Sequence, residues 1–375
     1  MKSLPHVNVV TSRGILHNAC LEIAEGKIAR ITTSDEPKDP AQLPLVIPSF
    51  IDLHIHGMGG YGPEQGTAQA LLHLSDVLAR QGVRAFCPTL YGAHPQKMAQ
   101  QLRALVPAIG QEKGAKILGF HLEGPFLSPQ KPGVMKPQDI VPARLEDWQE
   151  IYQAAQGHVA ILTLAPEIPD VEPILKFCLQ HHIVVQAGHT NATYEQMQRA
   201  FDQGVKRVTH LGNAMSGLHH RAPGVLGAVL ENPALSCEVI ADGKHVHPAL
   251  LKILKAVKPI SQITAVTDAL LPTGQKQGSF VANGEEVTLE DGVWKRTTDH
   301  VWAGSALTMW DAFLQLLSAG YSLEEAVSCT GTNAAKLLSA ESEIAGGQPA
   351  DFIVLSPHLQ LQHIFRQGQE ITPSF

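Results

Sequence analysis

At 375 residues, with 44% apolar and 17% charged side chains, the chain can bury a sizeable core as one large α/β domain or two smaller ones. A formal net charge of −7 argues against a nucleic-acid binder driven by phosphate contacts, and no apolar run of about 18 residues offers a membrane span. The five cysteines (Cys20, Cys87, Cys178, Cys237, Cys329) are scattered and free of any CxxC pair, and the start MKSLPHVNVVTSRG lacks a signal-like apolar region; both features suit a cytoplasmic protein with reduced thiols.

Residues 6–31 carry two β-type runs, VNVVTS and LEIAEGKIARI, the second broken by the turn Glu25-Gly26. From Ile51 onward short apolar runs alternate with amphipathic stretches. FIDLHIH precedes TAQALLHLSDVLARQG; VRAFCPTL precedes HPQKMAQQLRALVPAIG; AKILGFHLE precedes RLEDWQEIYQAAQ; VAILTLAPE precedes VEPILKFCLQHH. IVVQAGHT, VKRVTHLGNA, LSCEVIADG and ISQITAVTDA lead to four more helical patterns, the last after an insert at 274–302 with hairpin character around Asn283-Gly284. Eight such units in order predict a (β/α)8 barrel. An open doubly wound sheet fits less well, because no glycine-rich dinucleotide fingerprint follows the first strand. Residues 349–366 read as β again. The expected organisation is therefore a barrel over 48–344, with a small sheet domain built from 1–47 and 345–375.

In the stretch IDLHIHG, side chains alternate faces, so Asp52, His54 and His56 share one side of a strand that looks half buried. Three polar groups aimed into one place need solvent, a partner or a metal. Catalytic groups of a barrel sit at the C-terminal strand ends. Those ends carry His54 and His56 on the first strand, Glu123 on the third, His189 on the fifth, His210 on the sixth and Asp268 on the eighth. Imidazole and carboxylate are ligands that a divalent ion of intermediate softness prefers, so the rim predicts a metal site. Asp52 is expected to fix a histidine tautomer from behind. His73, His158, His181, His182, His300 and His358 fall on helices or outer loops and read as surface residues.

The motifs PSFIDLHIHG, GFHLEGPFLSPQKPG, AGHTNAT, VTHLGNAMSGLHHRAPG, IADGKHVHP, VTDA and AGSALTM, spread over the whole chain, resemble the amidohydrolase superfamily and within it the N-acetylglucosamine-6-phosphate deacetylases. The resemblance implies a TIM-type barrel with a small β-sandwich domain formed from both termini, and hydrolysis of N-acetylglucosamine 6-phosphate to glucosamine 6-phosphate and acetate. It implies Glu123, His189 and His210 as principal ligands, and His54 and His56 as ligands of a second metal. One or two divalent ions per subunit are expected, zinc first, with iron, cobalt or manganese as alternatives. It implies Asp268 as catalytic acid/base, Asn213, Ala214, Arg221 and His245 as the grip on the sugar phosphate, and Ala303 and Gly304 as substrate-lining residues. Arg221 would come from a neighbouring subunit, so a homodimer is implied.

Elementary chemistry agrees with these roles. A divalent cation lowers the pKa of its water towards about 7, a carboxylate such as Asp268 can carry the proton to a leaving amine, and the planar fork of Arg221 suits phosphate. One stretch departs from the family pattern. Where a histidine usually follows glycine and a small residue, this chain reads Gly133-Val134-Met135, and a thioether cannot donate to the acetamide carbonyl. The same chemistry on the N-acetylgalactosamine epimer is the nearest rival, and no motif separates the two. Another amidohydrolase would usually bridge its metals with a carboxylated lysine, where this chain has Glu123. A non-catalytic sugar-phosphate sensor is opposed by the presence of Asp268 and all five candidate ligands.

Overall fold

The computed structural model describes residues 2–275 and 278–373. Residue 1 and residues 374–375 of the terminal segments, and residues 276–277 of the expected insert, lie outside the described residues.

Eight strands pair in parallel in chain order: β1 (Phe50–Ile55), β2 (Val83–Tyr91), β3 (Phe120–Glu123), β4 (Val159–Leu164), β5 (Val184–Ala187), β6 (Arg207–Val208), β7 (Ser236–Ile240) and β8 (Ile263–Val266). The seam between β8 and β1 is bridged beyond the regular ladder. Asp268 N donates to His54 O at 2.8 Å and His56 N to Ala269 O at 2.9 Å, which nearly closes the ring. Asp52 adds a side-chain strut across the same seam. Its Oδ2 accepts from the Thr267 hydroxyl at 2.5 Å and its Oδ1 from Thr267 N at 3.2 Å. This corrects the expectation for Asp52, whose carboxylate contacts backbone and threonine and no imidazole ring. Burial lifts the Asp52 carboxyl to about 6 against the hydrogen bond from Thr267.

The longer helices are α1 (Ala68–Ala79), α2 (Pro95–Leu105), α3 (Leu145–Ala154), α4 (Glu172–Gln180), α5 (Tyr194–Asp202), α6 (Gly224–Glu231), α7 (Pro248–Val257) and α8 (Met309–Ser318), followed by two short ones, Leu323–Val327 and Asn333–Leu337. Their starts follow local chemistry. Thr67 caps α1, Thr193 with Gln196 and Thr308 with Asp311 form capping boxes at α5 and α8, and proline opens α2 and α7. Each turns an apolar stripe inward, as Leu71, Leu74 and Leu78 do on α1. No helix among the described residues is long and apolar enough to cross a membrane.

Seven further strands form one mixed sheet: Lys2–Thr11, Gly14–Ala24, Lys27–Thr33, Leu45–Pro48, Phe352–Leu355, Leu361–Arg366 and Gln369–Ile371. Leu45–Pro48 is its keystone, parallel to Lys2–Thr11 on one side and antiparallel to Phe352–Leu355 on the other. The sheet curls until its ends approach, because Ala350 N donates to Gly26 O at 2.9 Å and Gly368 N to Ala350 O at 3.0 Å. Val9, Leu21, Ile28, Val46, Phe352 and Phe365 fill the space enclosed.

The insert folds as a four-stranded antiparallel sheet, Ser279–Ala282, Glu285–Glu290, Val293–Arg296 and Trp302–Ser305. Its first turn places Asn283 at φ 50° and Gly284 at φ 67°, the left-handed pair that a two-residue hairpin turn requires. Ala282, Val287 and Trp294 then pack on Tyr91, Leu127, Met135 and Leu270, so the insert roofs part of the barrel mouth.

Phe352 is fully buried in the terminal sheet and stacks on Phe365 with ring centroids 4.7 Å apart. Phe352→Ala should destabilise the protein by about 3–5 kcal/mol, the usual cost of deleting a buried aromatic ring. Chemical denaturation read by fluorescence and circular dichroism checks this; a loss below about 1 kcal/mol would show that the sheet does not depend on that core.

Candidate metal centre and substrate cavity

Strand ends bring the expected side chains together. Glu123 closes β3 and is buried, with Oε1 3.0 Å from His189 Nε2 and 2.9 Å from His210 Nε2, and Oε2 3.3 Å from His56 Nε2. Asp268 Oδ1 lies 3.3 Å from His56 Nε2 and 3.5 Å from His54 Nε2. Glu123, His189 and His210 form one potential ligand triad and His54, His56 and Asp268 another, the ligand atoms of each lying within 4.8 Å of one another. His189, His210 and Asp268 each follow their strands by two residues and adopt positive φ of 47°, 27° and 50°. Such backbone costs on the order of 1–3 kcal/mol per residue and turns the side chain back over the barrel mouth.

The imidazoles are oriented from behind. His56 Nδ1 donates to Thr89 O at 3.1 Å, His189 Nδ1 to Lys131 O at 3.0 Å, and His54 Nδ1 to Glu238 Oε2 at 3.2 Å. These partners only accept, so Nδ1 carries the hydrogen in each ring and Nε2 is left to face the centre. His54 Nε2 is sealed from water and has no hydrogen-bond partner among the described residues. Tyr91 stacks flat on His56, centroids 3.8 Å apart.

Electrostatics show what this arrangement demands. Burial opposes the charge on His54, but Asp268, Glu123 and Glu238 outweigh it and lift His54 to about 10. His56 and His189 rise for the same reason, burial again losing to the neighbouring carboxylates. Burial likewise opposes the Glu123 and Asp268 carboxylates, yet the imidazoles hold both below their ordinary values, Glu123 far below. A centre that draws in protons to balance two carboxylates, with two buried imidazole nitrogens, His54 Nε2 and His210 Nδ1, left without a hydrogen-bond partner among the described residues, fits a divalent cation.

His54, His121 and Glu238 also lie within ligand distance of one another, but they belong to a hydrogen-bonded layer under the centre. His121 binds Leu53 O at 3.0 Å and Thr163 Oγ1 at 2.8 Å, Gln186 Nε2 donates to Glu238 Oε1 at 2.9 Å, and the Arg207 guanidinium stands 3.9 Å from Glu238. Hydrogen bonds engage both His121 nitrogens and both Glu238 oxygens, and a fixed cation stands alongside, so this layer is the poorer candidate for a metal. Burial, with the charge on His54, pushes His121 down to about 3. Burial opposes the Glu238 carboxylate, but His54 and Arg207 bring it to about 2.

Above the centre opens a cavity of about 420 Å³. His56, Glu123, His189, His210 and Asp268 reach it, and His54 lies fully buried beneath. Val134, Met135, Asn213, Ala214, His245, Ala303 and Gly304 line it as the sequence suggests. Arg221 does not; it is exposed on the loop before α6, outside the cavity of its own chain. Met135, 3% exposed, is wedged between the cavity and the roof. Gly133 has φ 56°, and a Cβ there would stand 2.9 Å from the His189 ring, so the loop after β3 must pass this ligand without a side chain.

Sequence reasoning missed Glu238, Thr89, Tyr91, Asp242 and Trp302. Asp242 Oδ2 accepts from His245 Nδ1 at 2.6 Å, and Trp302, 46% exposed, meets the His245 ring at 4.9 Å between centroids. The charged residue inside the apolar run SCEVI was the available signal for Glu238. The six histidines expected at the surface are all exposed.

A model of the amidohydrolase family matches residues 45–373. The N-acetylglucosamine-6-phosphate deacetylase of Bacillus subtilis is 32% identical over 367 residues, covering 93% of this chain and 92% of that protein. The N-acetylgalactosamine-6-phosphate deacetylase of Escherichia coli O157:H7 is 31% identical, covering 96% and 97%. Among solved structures, N-acetylglucosamine-6-phosphate deacetylase from Thermotoga maritima superposes with a TM-score of 0.89 at 30% identity over the full length of both chains. A mutant of the Mycobacterium smegmatis enzyme in complex with N-acetyl-D-glucosamine-6-phosphate gives a TM-score of 0.90 at 28% identity, covering 98% of each chain. The family match and the full-length similarity in sequence and structure agree, and the chain belongs to the N-acetylglucosamine-6-phosphate deacetylase family of the amidohydrolases.

Proposed function

We propose that the protein hydrolyses N-acetylglucosamine 6-phosphate to glucosamine 6-phosphate and acetate, as a cytoplasmic step of amino-sugar catabolism. The observation that carries this reading is the convergence of Glu123, His189 and His210 with His54, His56 and Asp268 on a cavity sized for a small polar ligand. The cytoplasmic placement rests on five free cysteines, four of them buried.

We read the triads as holding one or two divalent ions per subunit, zinc first among the candidates. A cation there supplies water acidic enough to attack at neutral pH and withdraws electron density from the amide carbonyl. Asp268 faces both His54 and His56 and takes the proton of the attacking water. It returns that proton to the amine nitrogen as the C–N bond breaks, because an unprotonated amide nitrogen leaves poorly. Val134 and Met135 offer an apolar wall to the acetyl methyl, and Met135 gives the carbonyl no hydrogen bond. Asn213, Ala214, His245, Ala303 and Gly304 hold the sugar, with Asp242 fixing the His245 ring through Nδ1.

Phosphate needs cations; the cavity of a single chain offers Lys131 in its lining but not Arg221. The loop bearing Arg221 also exposes Leu218, 57% accessible, next to His219 and His220. An apolar residue beside a free guanidinium suits a homodimer in which this loop reaches into the neighbouring cavity. The galacto epimer is the second reading, supported by the Escherichia coli relative at nearly the same identity.

Acetate release measured separately from the gluco and galacto substrates tests the assignment and ranks the epimers; no release from either would overturn it. Asp268→Asn keeps the shape but removes the proton shuttle, so kcat should fall about 10²- to 10⁴-fold while the cation at Glu123, His189 and His210 is retained. More than a tenth of the original kcat would place the shuttle elsewhere. Arg221→Ala should raise KM for the phosphorylated sugar by an amount equivalent to roughly 1.5–3 kcal/mol, and leave the unphosphorylated analogue nearly untouched. Equal losses on both would remove Arg221 from the phosphate site.

A further inference from the structure

We propose that Glu238 is a positioning residue that fixes the tautomer of His54 and so makes the His54, His56 and Asp268 triad able to take a second cation. The inference rests on the reading that this triad holds a cation at all.

Glu238 lies in the middle of β7, fully buried, on the barrel interior. Its Oε2 accepts from His54 Nδ1 at 3.2 Å, leaving His54 Nε2 to face Glu123 Oε1 at 3.7 Å and Asp268 Oδ1 at 3.5 Å. Its Oε1 accepts from Gln186 Nε2 at 2.9 Å. Gln186 cannot turn over, because its own oxygen accepts from Arg207 Nε at 2.8 Å. Direction therefore runs through the chain of contacts from the guanidinium of Arg207 to the ring of His54. Arg207 orients Gln186, Gln186 presents a donor to Glu238, and only an acceptor on both sides satisfies the three donors that Glu238 meets, the third being His210 N, 3.4 Å from Oε2.

A glutamine at 238 would break this order at a predictable place. Gln186 demands an acceptor at 2.9 Å, so the new amide oxygen faces Gln186 and the new NH2 faces His54, giving up the longer 3.4 Å contact from His210 N. His54 then accepts at Nδ1 and carries its hydrogen on Nε2, pointing a donor at the centre where a ligand lone pair is needed. The exchange Glu238→Gln with Gln186→Glu reverses the fault. The carboxylate at 186 accepts from both Arg207 and the amide of residue 238, whose oxygen returns to His54, and the counter-charge of Arg207 is preserved.

The test is titration of metal-depleted protein with cobalt(II), followed by visible absorption and by metal content after gel filtration. The original protein should take up two equivalents. Glu238→Gln should keep the first with at most a small loss, because His210 touches residue 238 only through its backbone N, and bind the second about 10- to 100-fold more weakly. The exchange variant should regain the second equivalent. Equal weakening of both equivalents would indicate general damage to the barrel and overturn the proposal, as would two equivalents bound at full strength by Glu238→Gln. Should Glu238→Gln fail to fold, the exchange variant decides: two equivalents support the proposal and one overturns it. A single equivalent in the original protein overturns the two-cation reading, and the inference with it.

Discussion

A carboxylate sealed from water must be answered by positive charge, and at Glu123 that requirement organises the surrounding structure. Moving such a group into a low-dielectric interior costs several kcal/mol even after relaxation. His189 and His210 approach one oxygen and His56 the other, while His54 stands slightly farther off. These five side chains come from four different strands or strand ends, so they meet only when the barrel is nearly closed. Binding capacity and tertiary structure are one property here. A divalent cation would meet the charge demand with fewer bound protons.

Holding that cluster in place uses devices that do not favour stability on their own. His189, His210 and Asp268 accept left-handed backbone, and the barrel interior carries Gln186, Arg207 and Glu238 where branched apolar residues would ordinarily pack. Both concessions become intelligible once the direction of each hydrogen bond is followed. In the interior layer Glu238 presents an acceptor to His54, and the strained turns aim His189, His210 and Asp268 across the mouth. Asp52 contributes differently: its contacts to Thr267 tie the last strand to the first, so a residue in the metal-binding motif serves closure of the ring.

How much of this was readable beforehand follows from the geometry of strands. A residue at a strand end announces itself, because the apolar run stops beside it; hence Glu123, the rim histidines and Asp268 could be picked out, whereas the cavity-lining residues were named only through the family resemblance. A polar residue within a strand gives a weaker signal, since its partner is set by three-dimensional pairing. Glu238 answers His54, 184 positions away, and nothing in SCEVI points to that partner. Asp52 invited the wrong partner for the same reason, being in register with two histidines yet committed to Thr267. Arg221 lies on a loop whose neighbours within one chain leave it in solvent. Tyr91 acts through the face of its ring, which alternation of polar and apolar residues does not encode. The insert was legible as a hairpin from Asn283-Gly284, but its seat over Met135 depended on contacts between loops.

The terminal sheet carries a consequence for how the chain is made. Leu45–Pro48 leaves the ribosome early, yet one of its two neighbours, Phe352–Leu355, is synthesised about three hundred residues later. Throughout that interval the nascent chain has an open hydrogen-bonding edge, and Val9, Leu21 and Val46 lack their cover of Phe352 and Phe365. At a synthesis rate of about 5–20 residues per second the exposure lasts on the order of tens of seconds, long compared with the collapse of the segments themselves. An open edge with an apolar face is a template for association with other chains. Translation therefore sets a window of vulnerability that the finished molecule does not reveal, and chaperone demand should track the delay between its first strands and its last.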